Sequence, residues 1–214
     1  MPPETDPLAA LPEVQRRVLR ASAAAIAERG FLLGGGTALA LVYAHRRSVD
    51  FDWFVDAPLG EPMQLAAGLR AAGVELTVTG VERGTLHATI DGVRVSFLEY
   101  RYPPLAPPIA AAVPPARLLS LDDLAAMKLS AAAQRGSRKD FVDLYVLATR
   151  HRPLAALLEC YRAKFGIDDV GHVLFALGYF DDAEAEPMPE MLWPLGWDEV
   201  RQAMGGWVRD LART

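Results

Sequence analysis

The sequence predicts an α/β (α+β) fold, with a mixed N-terminal part followed by an α-helical C-terminal part. Three observations carry this. Period-2 and period-3.6 apolar patterns alternate up to about residue 100. Pro103, Pro104, Pro107, Pro108, Pro114 and Pro115 then fall within 13 residues, a stretch that suits neither a helix nor an inner strand. Beyond it the apolar spacing is helical only. The expected organisation is an α/β core over 1–102, an extended Pro-rich crossing over 103–116 and a helical domain over 117–214.

Taken in order, Glu13 to Arg29 reads as a helix whose Val14, Val18, Ala21, Ala25 and Ile26 form one apolar stripe, ended by Gly30. Phe31-Leu32-Leu33 is a short buried strand running into Gly34-Gly35-Gly36-Thr37, and a second helix follows over Ala38 to Arg46. Asp50 to Val55 alternates acidic and large apolar residues, as a strand with two different faces does. Glu61 to Ala72 is an amphipathic helix closed by Gly73. Val74 to Val81, Thr85 to Ile90 and Val93 to Tyr100 are strands, the last two joined by Asp91-Gly92, a strong two-residue hairpin signal. Past the prolines, helices are expected over Leu121 to Gln134, Arg138 to Arg150, Pro153 to Phe165, Asp168 to Phe180 and Trp197 to Ala212. Ser120 with Asp123, and Ser137 with Asp140, match the capping-box spacing. Asp181 to Glu186 reads as a solvated acidic loop.

Composition narrows the function classes. With 51% hydrophobic and 23% charged residues in 214, the chain is an ordinary globular one rather than a disordered one. The longest charge-free stretch near the N-terminus, Gly30 to Ala44, has 15 residues and four glycines, too short and broken to span a membrane. No signal-peptide pattern is read at Met1 to Leu11, so cytoplasmic residence is expected. A single cysteine, Cys160, leaves no disulfide framework and no Cys-cluster zinc site. The net charge of −5 argues against a broad basic face for duplex binding. Only 3 of the 22 basic residues are lysines, which makes their positions worth tracing.

Chemistry concentrates in two places. Asp50 and Asp52, two apart on a strand, point from the same face about 7 Å apart. Folding gains nothing from two such like charges, whereas a divalent cation between them makes sense of the pair, since Mg²⁺ takes one or two carboxylates together with waters and substrate phosphates. Upstream, the glycine turn opening a helix is an arrangement that aims backbone N–H groups at an anion. Twelve residues separate Thr37 from Asp50, enough for one helix to lead from one strand end to the next.

Gly35-Gly36-Thr37-Ala38-Leu39 followed by Arg47-Ser48-Val49-Asp50-Phe51-Asp52 resembles the first motif of the AbiEii/AbiGii nucleotidyltransferase toxins, within the DNA polymerase β-like superfamily. Lys128, Arg135 and Lys139-Asp140-Phe141-Val142-Asp143-Leu144 resemble the family's downstream Lys…Arg…Asp…Asp-Leu block. The two blocks span about Phe31 to Leu147, and the last 60 or so residues carry no matched motif. The resemblance implies a small mixed-sheet nucleotidyltransferase core and a Mg²⁺-dependent transfer of a nucleoside monophosphate from an NTP. It implies Mg²⁺ on Asp50 and Asp52, the triphosphate on Gly35, Gly36 and Thr37, nucleotide contacts from Arg47, Ser48 and Arg135, and completion of the active site by Lys128 and Asp140. The acceptor it suggests is an RNA, such as a tRNA end, or a protein, and the partner a cognate antitoxin. Ser48 has a second reading as a cap on the start of the strand, and Asp140 one as the capping-box partner of Ser137.

One departure stands out. Superfamily members usually add a third carboxylate from a neighbouring strand; here the matching position holds Ser96, and Glu99 has the opposite parity. That favours one alternative, a nucleotide-binding or antitoxin-like protein without turnover; a second, which the resemblance to the superfamily implies, is nucleotidyl transfer to a small molecule. The four histidines show no metal-ligand spacing, and Trp193, Trp197 and Trp207 read as core rather than as base-stacking platforms.

Overall fold

The structure, a computed structural model, describes residues 7–213. It has two compact units: residues 7–103 with 107–119, and residues 104–106 with 120–213. The first holds a 3₁₀ turn (Pro7–Ala10), the helices α1 (Glu13–Ala27), α2 (Gly35–Tyr43) and α3 (Pro62–Ala71), and the strands β1 (Leu32–Leu33), β2 (Phe51–Val55), β3 (Thr77–Glu82), β4 (Thr85–Ile90), β5 (Val93–Glu99), β6 (Ile109–Ala110) and β7 (Arg117–Leu118). The second holds the helices α4 (Leu121–Arg135), α5 (Arg138–Arg150), α6 (Leu154–Phe165), α7 (Gly171–Leu177), α8 (Asp181–Ala185) and α9 (Trp197–Leu211). No helix among the described residues is long and apolar enough to cross a membrane.

The strands make one mixed sheet in the order β3-β4-β5-β2-β1-β7-β6. β2 runs parallel to β5 and antiparallel to β1, while β3, β4 and β5 form an antiparallel meander. Asp91 and Gly92 both take positive φ, +48° and +76°, as a two-residue hairpin turn requires. The turn pairs Ile90 with Val93, so Ala88 faces Val95 and His87 faces Ser96. On one side of the sheet Phe51, Trp53, Leu86, Ala88, Val95 and Phe97 are buried, and α1 and α3 lie against these strands. Each such fully buried large side chain contributes about 1.5–3 kcal/mol of transfer free energy. The opposite side carries Asp52, Ser96 and His87 in one row across β2, β5 and β4.

Four local expectations are corrected. The Pro-rich stretch supplies one short strand, the edge strand β6 between Pro108 and Pro114, and β7, just past it in the part expected to be helical, pairs on both sides, with β1 and β6. α2 starts at Gly35 rather than Ala38, so the glycines are its cap and first turn. Asp181 to Glu186 is not a free loop: residues 181–185 form α8. The Ser137–Asp140 capping box is absent; Glu186 instead accepts from the Ser137 hydroxyl at 2.6 Å and from the Arg138 N–H at 2.9 Å. Ser120 does cap α4, accepting from the Asp123 N–H at 3.1 Å.

Candidate active site

In the sheet unit the site grows from β1, the glycine turn and β2. Gly34 donates its N–H to the Asp52 carbonyl at 2.8 Å, which ties the turn to the acidic strand. Gly35 has φ +63°, and a Cβ there would meet Asp52 Oδ2 at 2.6 Å; the position is closed to any side chain by conformation and by space. A Cβ on Gly36 would run into the Arg46 guanidinium. Thr37 is buried, and its hydroxyl donates to the Asp50 carbonyl and lies 2.7 Å from Ser48 Oγ. Ser48 is anchored by its N–H to the Ala10 carbonyl at 3.3 Å, and Arg47 Nη1 donates to the Ala9 carbonyl at 3.2 Å. Thr37, Arg47 and Ser48 thus brace the approach to β2.

Asp50 and Asp52 leave this braced segment toward the side of the sheet away from the apolar core. Arg94 of β5 forms a two-pronged pair with Asp50, Nε to Oδ1 at 2.8 Å and Nη2 to Oδ2 at 3.0 Å. That pairing holds the Arg94 guanidinium above even its usual high pKa, through the hydrogen bond first and the charge second. Next to Asp52 in the parallel register stands Ser96, and His87 Nδ1 lies 3.1 Å from Ser96 Oγ. Glu99 belongs to the other side: it accepts from the Leu59 N–H at 2.8 Å and pairs with Arg101 at 2.6 Å.

The helical unit gathers the second set of expected residues. Lys128 of α4 is buried between Asp140 and Asp143 of α5, at 3.0 and 2.6 Å. Arg135 reaches Asp140 with both prongs, at 2.7 and 3.0 Å, while 56% of its side chain stays exposed. Burial pushes the Asp140 carboxyl up, but Lys128 and Arg135 outweigh that and hold it below the ordinary carboxylate range. A second buried pair joins Lys164 of α6 to Asp123 at 2.7 Å, and Asp123 also accepts from the Leu105 N–H at 3.1 Å. Lys139 is exposed, whereas Arg138 donates to the Ala183 and Glu184 carbonyls and lies over Trp197. The tryptophans pack within this unit, Trp197 on Phe141 and Phe180, Trp207 on Tyr145. Cys160 is buried, and burial pushes its thiol up to about 11, away from nucleophilic use.

With this geometry in place, residues 17–210 match the model of the family described as nucleotidyl transferase AbiEii toxin, type IV TA system. The chain belongs to the AbiEii nucleotidyltransferase toxin family. It is a nucleotidyltransferase. An uncharacterized protein of Aquifex aeolicus (strain VF5), aq_aa25, is 36% identical over 175 residues, 80% of this chain and 83% of its own. Among solved structures, MenT4, a nucleotidyltransferase toxin from Mycobacterium tuberculosis H37Rv, is similar at a TM-score of 0.63 and 15% identity, over 96% of this chain and 84% of that one. JHP933 from Helicobacter pylori gives 0.57 and 14%, over 95% and 94%. At such identities these two likenesses speak for the fold.

Two features of this AbiEii-family chain escaped the sequence reading. The Asp50–Arg94 pair needs β2 and β5 to be parallel neighbours, which no local signal states. The His87–Ser96 pair, by contrast, follows from counting back from the Asp91-Gly92 turn. Among the described residues no group of three or more His, Cys, Asp or Glu side chains gathers to hold a metal. The acidic donors at the turn are the two carboxylates.

Proposed function

We propose that this chain transfers a nucleoside monophosphate from an NTP to a hydroxyl group of RNA, releases pyrophosphate, and acts as the toxin of a toxin–antitoxin pair that includes a cognate antitoxin. The observation that carries the reading is Asp52 pressed against the bare Gly35 backbone at the mouth of the glycine turn, with Asp50 on the same strand face. Two neighbouring carboxylates fit Mg²⁺, which completes its shell with waters and phosphate oxygens and needs no dense protein cage. When bound, the ion would supply charge neutralisation at the transferring phosphoryl group. Asp50 and Asp52 would hold it, and the N–H groups opening α2 would meet the triphosphate, favoured by the helix dipole. Thr37, Ser48 and Arg47 keep the turn and the acidic strand in register. Within the helical unit, Asp140 and Lys128 fix the half-exposed Arg135 as a guanidinium presented for a phosphate.

Incubation with each α-³²P-labelled NTP and total RNA, with and without Mg²⁺, tests this. Label should enter RNA only with Mg²⁺, and not with the Asp52→Asn variant. Label entering protein instead would move the acceptor. Thermal stabilisation by NTP with Mg²⁺ but no transfer to any acceptor would leave a binding protein without turnover.

A further inference from the structure

We propose that Ser96 and His87 form the proton relay that accepts the acceptor hydroxyl's proton; this rests on the transferase reading above. Three observations point to it. Ser96 is the register neighbour of Asp52 on the parallel strand, so its hydroxyl projects beside that carboxylate, with neighbouring strands about 4.8 Å apart. His87 is the register neighbour of Ser96 on the next strand, and its Nδ1 lies 3.1 Å from Ser96 Oγ. The imidazole lies over Gly80 of β3, where even an added Cβ would stand 3.5 Å from its Cδ2, an ordinary contact, so the ring is not crowded from that side. Among the described residues Ser96 is the one hydrogen-bonding partner of this ring, and His87 is partly exposed.

A hydroxyl held by a partly exposed imidazole is a relay in form. The relay requires the tautomer in which the Ser96 O–H donates to Nδ1 and the imidazole proton sits on Nε2. As the acceptor oxygen forms its bond to the α-phosphorus and the bond to pyrophosphate breaks, the acceptor proton passes to Ser96 Oγ. The serine's own proton passes to Nδ1, and the imidazolium releases one proton from Nε2 to water. Atoms and charge balance, and Ser96 ends as a hydroxyl again. The groups that bear on the imidazole are Glu82 of β3, opposite Thr85 on the same face, Arg94 of β5, and Asp50 and Asp52 one strand further. α3 meets β4 on the apolar side, where Leu86 and Ala88 lie. Ser96 is the catalytic residue of the pair, and His87 is a positioning residue acting through it.

The test uses the full chain with labelled NTP, Mg²⁺ and total RNA. His87→Ala and Ser96→Ala should each lower kcat about 100-fold, in the range of a lost general base, with KM for the NTP little changed. The double variant should be no slower than either single one, because the two act as a unit. Ser96→Asp placed in His87→Ala should recover much of the rate, since a carboxylate takes the proton without help. Independently of activity, ¹⁵N NMR of the histidine side chains should show the His87 ring protonated on Nε2 in the wild type and lose that preference in Ser96→Ala. Wild-type turnover in both single variants, or no tautomer preference, overturns the relay while leaving the transferase reading intact. A wild type that labels no acceptor overturns the transferase reading, and the relay falls with it.

Discussion

Asp50 in the sheet unit keeps 37% of its side chain in solvent and pairs with a mostly exposed arginine, whereas Asp140 and Asp143 in the helical unit are fully buried around a buried lysine. The two regions hold carboxylates in different settings. An exposed surface pair such as Asp50–Arg94 is worth about 0–1 kcal/mol, so the fold gives up little when it is broken and its carboxylate can turn to a ligand. A buried pair is different: removing one partner strands an uncompensated charge and costs roughly 3–5 kcal/mol. Acids that look alike in the sequence are therefore distinguished by what their loss should damage, chemistry in the first unit and stability in the second.

The sharpest way to break this comparison is Asp52→Asn or Asp50→Asn. Each should lower nucleotide transfer about 1000-fold or more, roughly 4 kcal/mol of barrier, while the melting temperature stays within a few degrees of wild type. Radiolabel incorporation alongside a thermal melt reads both. A variant that melts early would make these acids structural and erase the contrast.

Lys128→Ala should do the reverse. It leaves Asp140 and Asp143 buried without their lysine, and should lower stability by about 3–5 kcal/mol, or roughly 10 °C in Tm. The pH dependence follows from the depressed Asp140 carboxyl. A folded pKa below the unfolded value of about 3.9 gives stability that is present above that pH and is lost as pH falls through the folded value. Acid melts below about pH 4 should therefore show a loss that Asp140→Asn removes, at the cost of lower stability at neutral pH. Denaturant titrations at several pH values check this.

Much of the contrast was open to sequence reading on the sheet side and closed on the helical side. The apolar alternation of Phe51, Trp53, Val95 and Phe97, with the Asp91-Gly92 turn, determines faces and register locally, so the shared face of Asp50 and Asp52 and the opposite parity of Glu99 could be counted off. The burial of Lys128 could not, because a lysine on a helix is ordinarily a solvated one and only the packing of α4 on α5 closes it in. Glu186 capping α5 from 48 residues away, and β7 paired between β1 and β6, are likewise contacts that no local pattern announces.

Arg94→Ala sharpens the sheet side by removing the guanidinium that pairs with Asp50 and would compete with a metal for it. Mn²⁺ affinity, followed by electron paramagnetic resonance of the free ion, should rise by up to about fivefold, the ~1 kcal/mol ceiling of an exposed pair. Unchanged affinity would show that Asp50 binds no cation that the arginine displaces.

Glu99→Gln should have the smallest effect, and its smallness is informative. Glu99 lies on β5 like Ser96, three residues on, yet its carboxylate serves the opposite side, accepting from Leu59 and pairing with Arg101. Gln retains an acceptor oxygen for the Leu59 N–H and gives up only a partly exposed ion pair, so stability should fall by no more than about 1 kcal/mol. Turnover should change by less than about threefold, because no charge is removed from the side that carries Asp50 and Asp52. Set beside Asp52→Asn in the same assay, the variant separates the two faces of one sheet. If it abolishes transfer as fully as Asp52→Asn does, the strand must turn Glu99 toward the acidic pair during catalysis. The two-carboxylate site would then become a three-carboxylate one.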